Sequence, residues 1–233
     1  MADTTQRNSQ AQDPGRSSVQ RARAPEDKAA RRESILHAAQ ALFAEAGGNL
    51  PSVAAVARQA GLAKGTVYIY FRAKEDIFLA LLTREMGTWI TSLTAMLQVP
   101  DRVERGPAAT AAEMVADLRS RRDMLRMAAL CHATLEQQTD EAALLAFKQA
   151  SAAAIAHLGQ VLESVLPGMA TGDGFELLIQ IYAMTIGLWQ LSEPPENARR
   201  LLARPELRGL QPDFDRALAA GLTALLAPAF RSA

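Results

Sequence analysis

An all-α fold is what this sequence predicts, and three observations predict it. Hydrophobic residues make up 49% and aromatics 5%, so the core is built of Ala, Leu, Val, Ile and Met, most of them good helix formers. Apolar residues recur at spacings of three and four along nearly the whole chain, with no strand-like alternation and no repeat of fixed period. Breakers such as Gly47-Gly48, Pro167-Gly168 and Glu193-Pro194-Pro195 fall between the periodic stretches. At 233 residues the chain suits one or two helical domains. The division read here is a tail over 1–27, a three-helix unit over 28–75 and a helical bundle over 76–233.

Residues 1–27 are rich in Gln, Ser, Thr, Asp and Arg and show no apolar period, which predicts a disordered tail. Arg16, Arg21 and Arg23 could follow phosphates, but Asp13, Glu26 and Asp27 among them favour a solvated tail. From about Asp27 the stripe Ile35, Leu36, Ala39, Leu42, Phe43 and Ala46 predicts a helix that ends at Gly47-Gly48. That stripe should pack on Val56, Val67 and Phe71, with Arg31 and Arg32 facing solvent or phosphate. Ser52 can cap the next helix, whose Val53, Val56, Ala57 and Ala60 share one face before Gly61 stops it. Leu62 can plug the angle, and a helix over 63–70 then presents Lys64, Gly65 and Thr66 at its exposed N-terminal end. Two short helices in this relation form a helix-turn-helix, whose second helix leads with its N-terminus into the major groove of double-stranded DNA.

The segment resembles the DNA-binding domain of the TetR family of bacterial regulators. The resemblance rests on Val56-Ala57, Ala60-Gly61-Leu62, Lys64-Gly65-Thr66-Val67-Tyr68, Tyr70-Phe71 and Lys74-Glu75, in order and without a gap, and with the preceding helix it covers residues 28–80. Geometry and resemblance agree on roles. Lys64, Thr66 and Tyr68 face the groove, where Lys can donate to guanine O6 and N7 and a Thr methyl suits thymine; packing between helices is the competing role for Tyr68. Gly65 permits close backbone approach. Tyr70, Lys74 and the capped turn at Ser52 meet phosphates. The chain departs from the family pattern at Ala63 and Ala73, where a capping side chain is common, and at Ile69, common as His, which is read as adjoining the core side of the helix.

An apolar stripe from Ile77 to Leu97 predicts a long helix of about 25 residues over 74–98, starting beside the DNA and ending in the bundle, the natural lever between them. A loop over 99–106 follows, then helices over 107–119, 121–138, 140–166, 174–192 and 213–230, with an irregular link up to Pro212. Thr171-Gly172-Asp173-Gly174 has no preceding strand and no lysine, so it reads as the turn that starts a helix. The resemblance implies that the bundle holds a small-molecule effector, apolar or amphipathic. Its candidate lining is Met86, Trp89, Met124, Met127 and Met184, with His132, Gln180 and Thr185 as polar contributors; plain core filling is the competing role for each Met. The resemblance further implies a homodimer joined through the last two long helices. Phe175, Ile179, Tyr182, Ile186, Trp189, Phe214, Leu218, Leu222 and Leu225 are its candidate face, and Ala183, Gly187, Ala217 and Gly221 would allow close approach. Two-fold symmetry then calls for palindromic DNA.

Lys plus Arg and Asp plus Glu are both 25, so bulk charge does not advertise nucleic acid; only the local run of Arg58, Lys64, Arg72 and Lys74, with no acid among them, does. One cysteine, Cys131, excludes an internal disulfide and a cysteine metal cluster, fitting a reducing cytoplasm. Cys131 and His132 are adjacent on a predicted helix, about 100° apart, which argues against a nucleophile and base pair. No secretory signal or membrane-length apolar run is present, and His37, His132 and His157 are scattered. The predicted protein is therefore a regulator rather than an enzyme, with no cofactor and no metal. It binds operator DNA as a homodimer and responds to an effector. A regulator without an effector, an activator or partner-controlled regulator, and distantly an all-helical enzyme remain alternatives.

Overall fold

The computed structural model describes residues 14–231, and every regular element among them is helical. The first helix, α1 (Pro14–Glu45), starts well before the predicted position and takes in the second half of the predicted tail. The reason is legible afterwards: residues 26–34 are exposed, so nothing there needed an apolar stripe, while Ala, Arg, Glu and Lys still favour a helix. Residues 1–13 lie outside the described residues. From Ile35 onward the predicted stripe is in place, with Ile35, Ala39 and Phe43 each 0% exposed.

Helices α2 (Val53–Gln59) and α3 (Lys64–Tyr70) complete the head around one core. Val56, Val67 and Phe71 join the α1 stripe there, and Phe43 meets Phe78 at 5.6 Å. Gly61 turns the chain between α2 and α3 at φ +67°, a region a side chain would strain. Helix α4 (Lys74–Leu97) runs from this head into the body, about 36 Å at 1.5 Å per residue. The body adds α5 (Arg102–Arg119), α6 (Arg122–Leu130), α7 (Glu136–Gln138), α8 (Glu141–Val165), α9 (Asp173–Ser192), α10 (Glu196–Leu202) and α11 (Phe214–Leu226).

Several predicted boundaries change. The predicted helix over 121–138 is broken by a π turn at Cys131–Leu135, and the predicted irregular link contains α10 and a 3-10 turn at Pro205–Leu210. Exposed Leu201 and Leu210 give those turns no periodic burial to read. In α5, Gly106 at φ 76° interrupts the helix, so the regular part begins at Pro107 as the sequence implies.

Helix α11 packs on α5 and α9, which moves part of the predicted dimer face into the core. Leu218 and Leu222 are 0% exposed and Trp189 is 4%, stacked edge-on against Phe214 at 5.2 Å. Gly221, expected to let two chains approach, instead receives Met184 of the same chain; a Cβ there would sit 2.4 Å from the Met184 sulfur. A short amphipathic helix needs a partner, and a sequence cannot say whether that partner is the same chain or another. The predicted start of the next-to-last long helix is as read. Gly172 opens α9 at φ +99°, and Glu163 accepts the amides of Gly172 and Gly174 at 2.9 and 3.0 Å, occupying the donors a phosphate would need. The missing side chain of Gly174 lets α9 cross α8 closely, since a Cβ there would lie 2.3 Å from the Gly159 carbonyl oxygen.

Arg102 anchors the far end of α4. It is 1% exposed, donates to Thr110 at 3.3 Å, to Glu113 at 2.8 Å and to the Met96 carbonyl, and holds the Glu113 carboxyl below its ordinary range through that hydrogen bond. Removing Arg102 takes a buried donor from the Thr110 hydroxyl and the Met96 carbonyl, while Glu113 is 36% exposed and keeps Arg105. Arg102→Ala should therefore cost about 1–3 kcal/mol in urea unfolding, with the helical circular dichroism of the folded baseline retained.

Candidate functional site

The reading head is assembled from short-range rules. Ser52 caps α2 by accepting the Ala55 amide at 3.2 Å, as its position predicts. Ala63 offers no such bond to α3, which leaves the amides at its N-terminal end open to solvent. Lys64 and Gly65 are exposed there, Thr66 is half-buried, and Tyr68 is 45% exposed with the Lys64 ammonium 5.8 Å from its ring centre. That exposure removes Tyr68 from packing between helices. Ile69 is 73% exposed, which corrects its placement towards the core: Val67, two residues earlier on a 100° helix, takes the inward face.

The phosphate candidates divide. Lys74 is half-buried with its ammonium 3.7 Å from Glu75. Tyr70 is half-buried and lines a cleft of about 550 Å³ between the head and α8, beside Arg32, Phe71 and Arg72. Arg32 stacks over Phe71 at 5.0 Å, and Arg72 spends its guanidinium on Asp140 at 2.7 Å, so the predicted positive run is partly engaged with the protein itself.

Ala73 likewise gives α4 no cap, and Asp76 supplies one from inside the helix. Its carboxylate accepts the amides of Ala73 at 2.9 Å and Arg72 at 3.0 Å, and across the chain that of Asp140 at 3.2 Å. Asp76 is 6% exposed. Sequence reasoning missed it, although an acid three residues after a helix start is the relevant signal.

The second feature is a cavity of about 280 Å³ in the body. Leu82 and Met86 of α4, Ala128 of α6, Phe147, Ala152 and Ile155 of α8, and Phe175 and Ile179 of α9 make its apolar walls. Cys131, His132, Glu136, Lys148, Ser151 and Tyr182 supply polar groups. The π turn brings them together: its wide turn sets residues four and five apart side by side, so His132 and Cys131 both reach Glu136, at 3.1 and 3.2 Å. Lys148 donates to the same carboxylate at 2.8 Å, and Tyr182 lies 3.4 Å from the His132 Nε2. Burial, then the Glu136 hydrogen bond, pushes the Cys131 thiol up to about 12. It is a protonated donor at neutral pH, not a nucleophile.

Of the predicted effector residues, Met86 and His132 line this cavity. Met124 and Met127 are 4% and 1% exposed on another side of the core, near Phe43 and Leu81; Gln180 is exposed; Met184 fills the space over Gly221; Thr185 is buried and Trp89 half-buried outside the lining. Phe175, Ile179 and Tyr182, predicted for the dimer face, also line the cavity, while Phe175 and Ile179 remain 40% and 43% exposed. Helical period marks a residue as inward without saying which of several interhelical spaces it enters.

Residues 83–227 match the family described as the tetracyclin repressor-like C-terminal domain, and residues 35–81 match bacterial regulatory proteins of the tetR family. The chain belongs to the TetR family of bacterial transcriptional regulators. A fatty acid metabolism regulator protein of Bacillus subtilis is 45% identical over 56 residues, which span 24% of this chain and 29% of that protein. A TetR-family regulator of Mesorhizobium loti superposes with a TM-score of 0.53 at 21% identity, over 85% of this chain and 96% of that one. A fatty acid degradation regulator of Bacillus halodurans gives 0.52 at 18% identity, over 84% and 94%. These likenesses establish the fold of a TetR regulator. Among the described residues no helix is long and apolar enough to cross a membrane.

Two outcomes follow from these sites. Asp76→Ala leaves three amides without their acceptor and should cost about 1–3 kcal/mol in urea unfolding, whereas Asp140→Ala removes only the exposed ion pair and should cost less than about 1 kcal/mol. Cys131 should resist iodoacetamide at pH 8 in the folded protein and react fully in urea, as read by intact mass, because the thiolate forms only near pH 12.

Proposed function

We propose that this TetR regulator is a homodimeric repressor, which holds a palindromic operator when empty and releases it when a small apolar or amphipathic effector occupies the cavity between α4, α8 and α9. The observation that carries the reading is the position of that cavity. Leu82 and Met86 wall it on α4, the helix whose first turn closes the head, and Phe147 to Ile155 wall it on α8, whose start is bound to the head through Asp76 and Arg72. A molecule wedged there presses on both connections between head and body. Its volume lies near the lower end for ligand sites, and its walls are mainly apolar with a few convergent polar groups.

The reading helix supports the DNA half of the proposal, with Lys64, Gly65 and Tyr68 accessible at its outer face. For the dimer, the free apolar surface is on α8 and α9: Leu145 is 57% exposed, Ile179 43%, Phe175 40% and Leu191 55%. Phe175 and Ile179 are kept from the predicted face, and Leu145 and Leu191 take the place of the buried Leu218 and Leu222. The effector acts by population shift, so each 1.4 kcal/mol of preference for the released arrangement lowers apparent DNA affinity about tenfold. The match to the Bacillus subtilis regulator covers too little of that protein to carry its effector here.

Lys64→Ala with Thr66→Ala should abolish specific retention of the operator in a gel shift while leaving oligomeric state and circular dichroism unchanged; unimpaired specific binding would remove α3 from the reading role. Ala152→Trp, placed to fill the cavity, should keep operator binding and lose release by the effector, measured as persistent repression of a reporter under inducing conditions.

A further inference from the structure

The hydrogen-bond capacity left over at the polar end of the cavity is lopsided. Glu136 receives Cys131, Lys148 and His132 all on Oε1, at 3.2, 2.8 and 3.1 Å. Its Oε2 takes no hydrogen bond from the described residues. In the tautomer that gives the His132 Nδ1 proton to Glu136, Nε2 is an acceptor, and the Tyr182 hydroxyl donates to it at 3.4 Å. The thiol, imidazole and phenol protons are therefore all spent inside the cluster. What remains open is acceptor capacity: Glu136 Oε2 and the lone pairs of the Tyr182 oxygen. Ser151 can serve either way, and the remaining Lys148 protons sit on a side chain 48% exposed to water.

We infer that the effector presents a hydrogen-bond donor on an apolar body, an ammonium or hydroxyl group, and that Glu136 Oε2 receives it. The inference rests on the cavity being the effector site. Charge supports it: Lys148 neutralises Glu136, so the cluster holds no surplus positive charge for an anion, and a carboxylate headgroup would face Oε2 directly. An acceptor-only headgroup such as an ester would leave Oε2 and its own oxygens unmatched, and desolvated polar groups without partners are costly. Burial keeps the protons where this scheme needs them, raising Tyr182 and Cys131 each to about 12.

The test is calorimetric titration of the full chain with four ten-carbon probes: decylamine, 1-decanol, decanoate and methyl decanoate. Decylamine and decanol should bind the wild type on the order of tenfold tighter than decanoate and methyl decanoate, since a hydrogen bond to a charged acceptor is worth about that factor. Glu136→Gln, which replaces the charged acceptor with an amide, should erase the lead of decylamine. Equal or tighter binding of decanoate or methyl decanoate to the wild type overturns the inference, as does an unchanged order in Glu136→Gln; should that variant not fold, the wild-type order alone decides. If no probe binds the wild type, or Ala152→Trp weakens none of them, the cavity reading fails and this inference falls with it.

Discussion

One carboxylate ties the two halves of this regulator together. Helix α4 begins at Lys74, and Ala73 before it brings no capping side chain to the amides there. Asp76 takes over two of them and accepts the Asp140 amide as a third, out of contact with water. Three donors on a buried acceptor cannot be released singly without leaving a polar group unpaired, so the junction is made or broken as a unit. Because Asp140 is the residue that precedes the first turn of α8, the first turn of α4 and the first turn of α8 share a single fastening.

The surroundings of that fastening divide into a stiff part and a loose part. The head is stiff: Phe43, Val56, Val67 and Phe78 are fully enclosed, and interiors packed in this way move as bodies rather than deform. Beside it, a cleft of about 550 Å³ lies between α1, α4 and the first turns of α8, bridged by Arg72 and Asp140 at its edge. The far end of α4 is held by the buried Arg102. A rod pinned at both ends with a cavity against its middle is suited to convert sideways pressure into a tilt of the head.

The sequence made the head legible nearly to the residue, because its signals are local: a cap at Ser52, a glycine with positive φ at Gly61, and an inward valine on each short helix, Val56 on α2 and Val67 on α3. The sequence was much less informative about the cavity. The apolar period placed Met124, Met127 and Met184 inside correctly, but the space each entered depended on how helices cross, which period does not encode. The π turn that gathers Cys131, His132 and Glu136 leaves no mark in a hydrophobic pattern, so the polar end of the cavity emerged only from the structure. Leu218 and Leu222 show the same gap from another side, since a buried stripe looks identical whether α5 or a second chain covers it.

The account turns on the claim that Asp76 sets the position of the head relative to the body. The most direct measurement is the distance distribution, by pulsed electron resonance, between spin labels at Arg58→Cys and Gln160→Cys in one chain diluted among unlabelled chains, with and without Asp76→Ala. Both positions are exposed, and the buried native thiol stays unlabelled. A single narrow distribution that broadens or shifts in Asp76→Ala is the predicted result. An identical narrow distribution in both proteins would contradict it, and would place the control of head position elsewhere in the fold.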